Sequence, residues 1–138
     1  MPADSSTTSN TTTTTTTAST PDQKLRTGSC LCGGVRYEVR GEPITTRVCH
    51  CANCKKATGA AFMTNGFFKE GQIRTIQGAD LLKSFPDLNT ESGTPLNRFF
   101  CSVCGSNVFL RSDPSGTRYD DIHIIALGTL DAPVEWSE

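Results

Sequence analysis

Three thiols within six residues, in the segment Cys49-His-Cys-Ala-Asn-Cys54, constrain this chain more than any other feature. The seven cysteines form three clusters with the spacings CxC, CxCxxC and CxxC, which are typical of metal thiolates rather than of a disulfide framework. In an extended chain the side chains of a CxC pair lie about 6–7 Å apart on one face, so a shared metal forms more easily there than a strained disulfide. We therefore predict that the thiols bind metal. The other two clusters are Cys30-Leu-Cys32 and Cys101-Ser-Val-Cys104.

The segment Cys101-Ser-Val-Cys104-Gly105 has the pattern of a zinc knuckle. In such a turn, Gly105 permits a left-handed backbone that directs amide N–H groups at the sulfurs and stabilises their negative charge. Gly33 and Gly34, which follow the CxC pair, leave the backbone similarly free to wrap around a bound metal.

Seven thiols cannot fill two tetrahedral zinc sites of four ligands each. Either one site has three protein ligands, or a histidine supplies the eighth. A three-ligand site keeps an open position for water or substrate, which is the arrangement of catalytic zinc. The residues permit two partitions, and the second is favoured because three ligands within six residues reach one metal without closing a long loop. In the first, Cys51 and Cys54 join Cys101 and Cys104, leaving Cys30, Cys32 and Cys49; in the second, Cys30, Cys32, Cys101 and Cys104 form one site and Cys49, Cys51 and Cys54 the other.

The two histidines are weaker candidates for the remaining ligand. His50 lies between two cysteines of the central cluster, so in an extended backbone its imidazole points away from the metal that they hold. His123 is predicted to lie on the face of its strand opposite Ile122 and Ile124, and we interpret it as a hydrogen-bonded structural histidine.

Charged and aromatic residues near the clusters have ordinary structural interpretations. Lys55 and Lys56 either attract an anionic substrate or offset the thiolate charge. The aspartates are interpreted as solvated turn residues and the paired phenylalanines as core. These are Asp120, Asp121 and Asp131, and Phe67, Phe68, Phe99 and Phe100.

Composition excludes several classes of function. The net charge of -1 gives no general attraction to nucleic acid or to an anionic membrane, and no apolar stretch approaches the roughly 20 residues of a membrane span. The glycines lack P-loop and dinucleotide-binding spacing. Residues 1–20 contain neither a basic residue nor an apolar run, so we expect no secretory or transit signal and a cytoplasmic location.

We predict a mainly β fold, a small zinc-binding domain of short antiparallel strands forming packed sheets with little helix. Residues 1–24 form a Thr/Ser-rich tail that is predicted to be disordered, and the domain spans 25–138. Alternation of Val35, Tyr37 and Val39 with charged residues indicates a half-buried strand, and one helical turn closed by Gly59 is predicted. Further strands are predicted at 44–48, 60–68, 72–77, 81–85, 97–100, 107–111 and 121–127, with a polar loop at 87–95 and a turn at 113–116.

The order and spacing of four segments closely resemble the glutathione-dependent formaldehyde-activating enzyme family, which also includes centromere protein V. The resemblance spans roughly Thr27 to Asp131. The segments are Gly28-Ser-Cys-Leu-Cys-Gly-Gly-Val-Arg-Tyr, Cys49-His-Cys-Ala-Asn-Cys-Lys-Lys-Ala-Thr-Gly, Phe99-Phe-Cys-Ser-Val-Cys-Gly-Ser and Gly128-Thr-Leu-Asp.

The resemblance implies a β-rich fold with two zinc ions per chain and a glutathione adduct or another small thiol conjugate as partner. The implied activity is that of a carbon–sulfur lyase, which reversibly joins formaldehyde to glutathione as S-hydroxymethylglutathione. Such family members commonly continue beyond the Gly-Thr-Leu-Asp segment, whereas seven residues follow Asp131 here, so substrate-side residues are expected to be missing. By this resemblance, Cys30, Cys32, Cys101 and Cys104 would hold a structural zinc, and Cys49, Cys51 and Cys54 a second, catalytic zinc.

A non-catalytic zinc-stabilised protein-interaction module is the alternative, as the centromere-protein branch of the family suggests. The two hypotheses differ in whether the three-thiol site binds a small thiol.

Overall fold

The computed structural model describes residues 24–112, 120–133 and 136. Within them, nine strands form two antiparallel sheets, and a single α-helix has more than one turn. The predicted mainly β fold is therefore confirmed. The predicted tail at 1–24 lies outside the described residues except for Lys24, and the predicted turn at 113–116 lies outside them as well.

The strands are short, as expected from the glycine and proline punctuation of the sequence. The one helix, α1, spans Ala52–Thr58 and ends at Gly59. The strands are β1 (Leu25–Ser29), β2 (Arg36–Arg40), β3 (Thr45–Cys49), β4 (Met63–Lys69), β5 (Ile73–Gln77), β6 (Leu82–Asp87), β7 (Leu96–Cys101), β8 (Asn107–Ser112) and β9 (Ile122–Ala126).

The larger sheet has six strands in the order β3-β4-β9-β8-β7-β6, and the smaller sheet has three in the order β1-β2-β5. All pairings are antiparallel, and the ladder between β7 and β8 is irregular at Phe99 and Phe100, directly before Cys101. The irregularity falls where the chain leaves the sheet and enters the knuckle turn.

The main core lies between the two sheets. Val35, directly before β2, and Tyr37 and Val39 within it are fully buried, which confirms the predicted alternation. Phe68 and Ile125 face them from the large sheet, and the Tyr37 hydroxyl bonds with that of Thr129 at 2.7 Å. Full burial of such side chains stabilises the fold by about 1.5–3 kcal/mol each, so this interface fixes how the sheets pack.

Three local features differ from the predictions. The strand β1 was not predicted, because Leu25 is its only apolar residue and its conformation comes from backbone pairing with β2. The helix begins at Ala52 instead of Lys55, because Cys51 caps it: the Cys51 sulfur accepts a bond from the Cys54 amide. Since Leu82–Asp87 is strand, the polar loop begins one residue later than predicted.

Neither the helix nor the shorter helical turns of the described residues could span a membrane.

Candidate metal centres and the adjoining cavity

Four thiols from two separate turns converge into one group, called here the four-thiol group. Cys30 and Cys32 follow β1, while Cys101 ends β7 and Cys104 lies in the turn before β8. Their sulfur atoms all lie within 4.8 Å of one another. The Cys30 and Cys32 sulfurs are 3.6 Å apart, and those of Cys32 and Cys101 are 3.8 Å apart.

These separations fit a tetrahedral thiolate site. With zinc–sulfur bonds of about 2.3 Å, tetrahedral geometry separates neighbouring sulfurs by about 3.8 Å. A disulfide would instead need sulfurs about 2.05 Å apart, and all seven cysteines are free. The donor set and its spacing therefore suit a metal ion such as zinc.

Backbone amides surround the sulfurs, as the knuckle pattern predicts. The Val35 amide donates to the Cys30 sulfur at 3.3 Å, and the Val103 amide donates to the Cys101 sulfur at 3.4 Å. Gly105 has a φ of 79°, the left-handed conformation that lets the turn close. These amides stabilise negative charge on the thiolates.

The thiols of the four-thiol group differ in their pKa values. Hydrogen bonding to Ser106 lowers the pKa of Cys104 to about 5. At Cys32 the Gly34 amide works to lower the pKa, but the neighbouring thiols, Cys30 first, outweigh it and raise the value to about 11. Without a cation, only part of the group is ionised at neutral pH, so metal binding displaces the remaining protons.

The three cysteines of the central cluster form a second group, the three-thiol group. Cys49 ends β3, Cys51 caps α1, and Cys54 lies in its first turn, and their sulfurs also lie within 4.8 Å of one another. Although burial works to raise the pKa of Cys51, the Cys54 amide and the other thiols lower it below its ordinary value. No histidine, aspartate or glutamate of the described residues completes either group.

A buried ion pair lies against the three-thiol group. Asp87 accepts from Arg98 at 2.8 Å, and both side chains are less than a tenth exposed. The guanidinium also lies 3.8 Å from the Cys54 sulfur through two of its nitrogens. Burial and the neighbouring thiols raise the pKa of Cys54 to about 12 against the opposing effect of Arg98. Asn53 donates to both Asp87 oxygens, which ties the helix to β6.

A cavity of about 780 Å³ opens beside the three-thiol group. Its floor is one face of the large sheet, where the strand register aligns Phe67, Ile124 and Leu110 on adjacent strands. Polar lining side chains come from Arg47 on β3 and from the loop between β6 and β7. The lining residues are Ile44, Thr45, Arg47, Cys49, Cys51, Asn53, Cys54, Asn65, Phe67, Thr90, Glu91, Ser92, Thr94, Leu96, Arg98, Leu110, Ser112, Ile122 and Ile124.

None of the weaker candidates from the sequence belongs to either thiol group. His50 packs against Phe62, with ring centroids 5.7 Å apart, and Lys55 and Lys56 are exposed outside the cavity. Asp131 is an exposed turn residue that accepts from Thr27 and Ser29.

His123 is only partly as predicted. It faces away from the cavity, opposite Ile124, but the interpretation as a hydrogen-bonded histidine is wrong: neither ring nitrogen has a partner among the described residues. The His123 ring packs against the Phe109 ring with centroids 4.8 Å apart. Packing within the sheet, and not a hydrogen bond, therefore accounts for the burial of this imidazole. Of the phenylalanine pairs, Phe68 and Phe99 pack in or against the core, whereas Phe67 lines the cavity.

Sequence reasoning missed the polar residues around the three-thiol group. Arg98 and Asn65 occupy inward positions in apolar strands, and a charged or amide side chain at such a position needs a partner. That pattern could have identified both. Asp87 and Asn53 could not have been found this way, because they meet only through the packing of the helix against the large sheet.

The fold and the two thiol groups define a β-rich protein with two candidate metal centres. Residues 25–138 match the sequence model of a family described as glutathione-dependent formaldehyde-activating enzyme, and the chain belongs to this family.

Two individual proteins are similar to this chain. A protein of Halomonas elongata, whose name provisionally assigns it as a glutathione-dependent formaldehyde-activating enzyme, is 28% identical over 87 residues, which cover 62% of this chain. The match spans only about half of that relative, 55% of its length. A crystal structure of a Rhodobacter sphaeroides protein shares the fold, with a TM-score of 0.59 at 20% identity over 78% of this chain and 90% of that one.

Proposed function

We propose that the protein is a zinc-dependent carbon–sulfur lyase that acts on a glutathione adduct such as S-hydroxymethylglutathione, or on another thiol conjugate. One observation carries the proposal: a group of only three thiols borders a cavity large enough for a small molecule. The family membership supports glutathione as the thiol.

The proposal assigns the seven cysteines to two zinc ions. Cys30, Cys32, Cys101 and Cys104 would hold a structural zinc, and Cys49, Cys51 and Cys54 would hold the second, which retains an open coordination position. Zinc at the second position would supply Lewis acidity that lowers the pKa of a substrate thiol.

The residues around the cavity position the substrate. In the forward direction, the carbon–sulfur bond forms between glutathione sulfur and aldehyde carbon, and the thiol proton passes to the aldehyde oxygen. Arg98, beside Cys54, offsets the negative charge that accumulates at the three-thiol group. Arg47 is exposed, lies over Phe67, and forms no ion pair among the described residues, so it is available to a glutathione carboxylate.

Seven free thiols also favour a reducing compartment such as the cytoplasm, where they remain available to metal.

Binding of glutathione tests the proposal. We expect isothermal titration of the zinc-loaded protein to show one glutathione bound per chain, and binding to be lost in Cys51→Ser. Arg47→Gln should weaken binding about tenfold by removing a charge-assisted hydrogen bond to a carboxylate. Failure of the zinc-loaded wild type to bind glutathione would overturn the proposal.

Zinc content tests the assignment of two separate sites. Elemental analysis should find two zinc ions per wild-type chain and one in Cys51→Ser. Lys56→Ser, which changes an exposed neighbour outside the cavity, should keep two. A single zinc in the wild type, or the loss of both in Cys51→Ser, would contradict the assignment.

The alternative function, a zinc-stabilised interaction module, has one observation in its favour. Leu31 and Val103 are 87% and 67% exposed on the two turns of the four-thiol group, where apolar side chains could contact a protein partner. In that case the folded, zinc-loaded protein would bind no small thiol, and Leu31→Ser with Val103→Ser would abolish capture of the partner.

A further inference from the structure

The cavity extends well beyond what a one-carbon substrate group requires. Cys49 pairs with Met63, and Phe67 lies four residues further along β4, so the apolar floor reaches about 13 Å from the strand position of Cys49. A hydroxymethyl group on sulfur places one carbon beside the thiols and leaves most of this floor uncovered.

The floor does not suit the body of glutathione. Phe67, Ile124 and Leu110 form a continuous apolar row, and burying carboxylates, an ammonium group and peptide amides against it would leave those groups unpaired. Polar side chains that also line the cavity, among them Arg47, Thr90 and Ser92, suit the charged groups better. The apolar row is therefore available to the other half of the adduct.

A single amide interrupts the apolar face of β4. Asn65 is 5% exposed, lines the cavity, and its Oδ1 atom has no hydrogen-bond partner among the described residues. It lies two residues from Met63, which pairs with Cys49, and two residues from Phe67. An unpaired buried acceptor is costly, and a substrate hydroxyl between the thiols and the apolar row would satisfy it.

We propose that the adduct is formed from an aldehyde with an apolar chain of several carbons. This rests on the proposed lyase function and names its substrate class. A thiol R–SH and an aldehyde R′–CHO give R–S–CH(OH)–R′: the carbon–sulfur bond forms, the S–H bond breaks, and its proton goes to the carbonyl oxygen. The chain R′ lies along Phe67, Ile124 and Leu110, and the new hydroxyl donates to Asn65.

Stable thioethers of glutathione test the chain. S-methyl-, S-ethyl-, S-propyl- and S-butylglutathione carry no hydroxyl and do not dissociate, so isothermal titration reports the alkyl contact alone. Affinity should rise at least tenfold from methyl to butyl, because each buried methylene favours binding about threefold or more. Ile124→Thr should flatten this trend, whereas Ile76→Thr, the same change on the smaller sheet, should leave it unchanged.

The results separate this inference from the lyase proposal. If glutathione binds but affinity is flat or falls with chain length, the apolar-chain inference is overturned and the thiol site stands. If glutathione does not bind, the lyase proposal fails; the same protein is then titrated with butanethiol and 2-mercaptoethanol, and equal affinities overturn this inference as well.

Asn65→Leu tests the hydroxyl contact. Magnetisation transfer between butanal and its glutathione hemithioacetal should show the catalysed exchange slowed about tenfold or more, as expected for one lost hydrogen bond to a buried group. Affinity for S-butylglutathione, which has no hydroxyl, should stay within twofold of wild type. An unchanged exchange rate in Asn65→Leu would overturn the proposed hydroxyl contact. So would a loss of affinity for S-butylglutathione as large as the loss in exchange rate.

Discussion

At the scale of single residues, His123 shows how burial sets the chemistry of a titratable group. Burial, with Arg111 nearby on β8, lowers its pKa from an ordinary value near 6.5 to about 4. The partner positions on the two neighbouring strands are Phe68 and Arg111, so no carboxylate there favours the protonated form. The folded chain therefore keeps His123 neutral down to about pH 4, whereas the same residue in the unfolded chain is protonated below about pH 6.5.

The sign of the pH dependence follows. Because the folded-state pKa is lower than the unfolded one, this stability is present above about pH 6.5 and is lost as the pH falls toward 4. Between pH 7.5 and pH 5 the loss should be about 2 kcal/mol in the free energy of unfolding. Urea unfolding of wild type and His123→Leu at both pH values checks this: the variant should lose about 2 kcal/mol less. Equal losses in both proteins would contradict the prediction.

At the scale of elements, the polar network around the three-thiol group joins the helix to two strands. Asn53 on α1 bonds to Asp87 on β6, which pairs with Arg98 on β7, and the guanidinium returns to Cys54 on the helix. Because the pair is buried, removing one partner leaves an uncompensated charge in the protein interior. The network thus fixes where the helix presents its thiols.

Breaking this network should be costly. Asp87→Asn and Arg98→Met should each lower the free energy of unfolding by about 3–5 kcal/mol, and the double variant should lose less than the sum because no charge is left unpaired. Arg74→Met provides the control, since Arg74 pairs with Glu38 at the surface and should cost less than about 1 kcal/mol. Urea unfolding of all four variants at pH 7 measures this. Losses at Asp87 and Arg98 no larger than at Arg74 would contradict the prediction.

At the scale of the whole molecule, the four-thiol group links the two sheets. Cys30 and Cys32 follow a strand of the smaller sheet, whereas Cys101 ends a strand of the larger one and Cys104 lies in the turn after it. A metal held by all four would therefore crosslink the layers at one end of their shared core. The apparent binding energy of a structural zinc, about 10–16 kcal/mol, is comparable with the net stability of a domain, about 5–15 kcal/mol.

Metal removal should accordingly unfold the chain. Calorimetry of the zinc-loaded protein should show one cooperative transition, which disappears after chelation and dialysis and returns when zinc is restored. A chelated sample that keeps a sharp transition at an unchanged midpoint would show that the sheets pack without metal. Ser102→Ala, an exposed position in the knuckle turn, should behave as wild type in both states.

Particular residues show how far prediction reached. The alternation of Val35, Tyr37 and Val39 predicted a half-buried strand, and the structure buries all three. The knuckle pattern predicted a left-handed Gly105, which is observed. Prediction failed at β1 and at the helix start, because a partner strand and a cysteine cap determine those segments. The hydrogen-bonded state expected of His123 is wrong, because nothing in a single strand shows what packs above it.

The sequence by itself determined that this chain carries thiols suited to metal, because ligand type and spacing are local properties and three tight cysteine clusters are typical of metal thiolates. Only the tertiary structure decided which thiols meet, since Cys32 and Cys101 are 69 positions apart in the chain and are brought together by strand pairing. It also decided that Arg98 and Asn65 line the cavity and that Asp87 pairs with Arg98, because strand register sets which side chains share a face of the sheet.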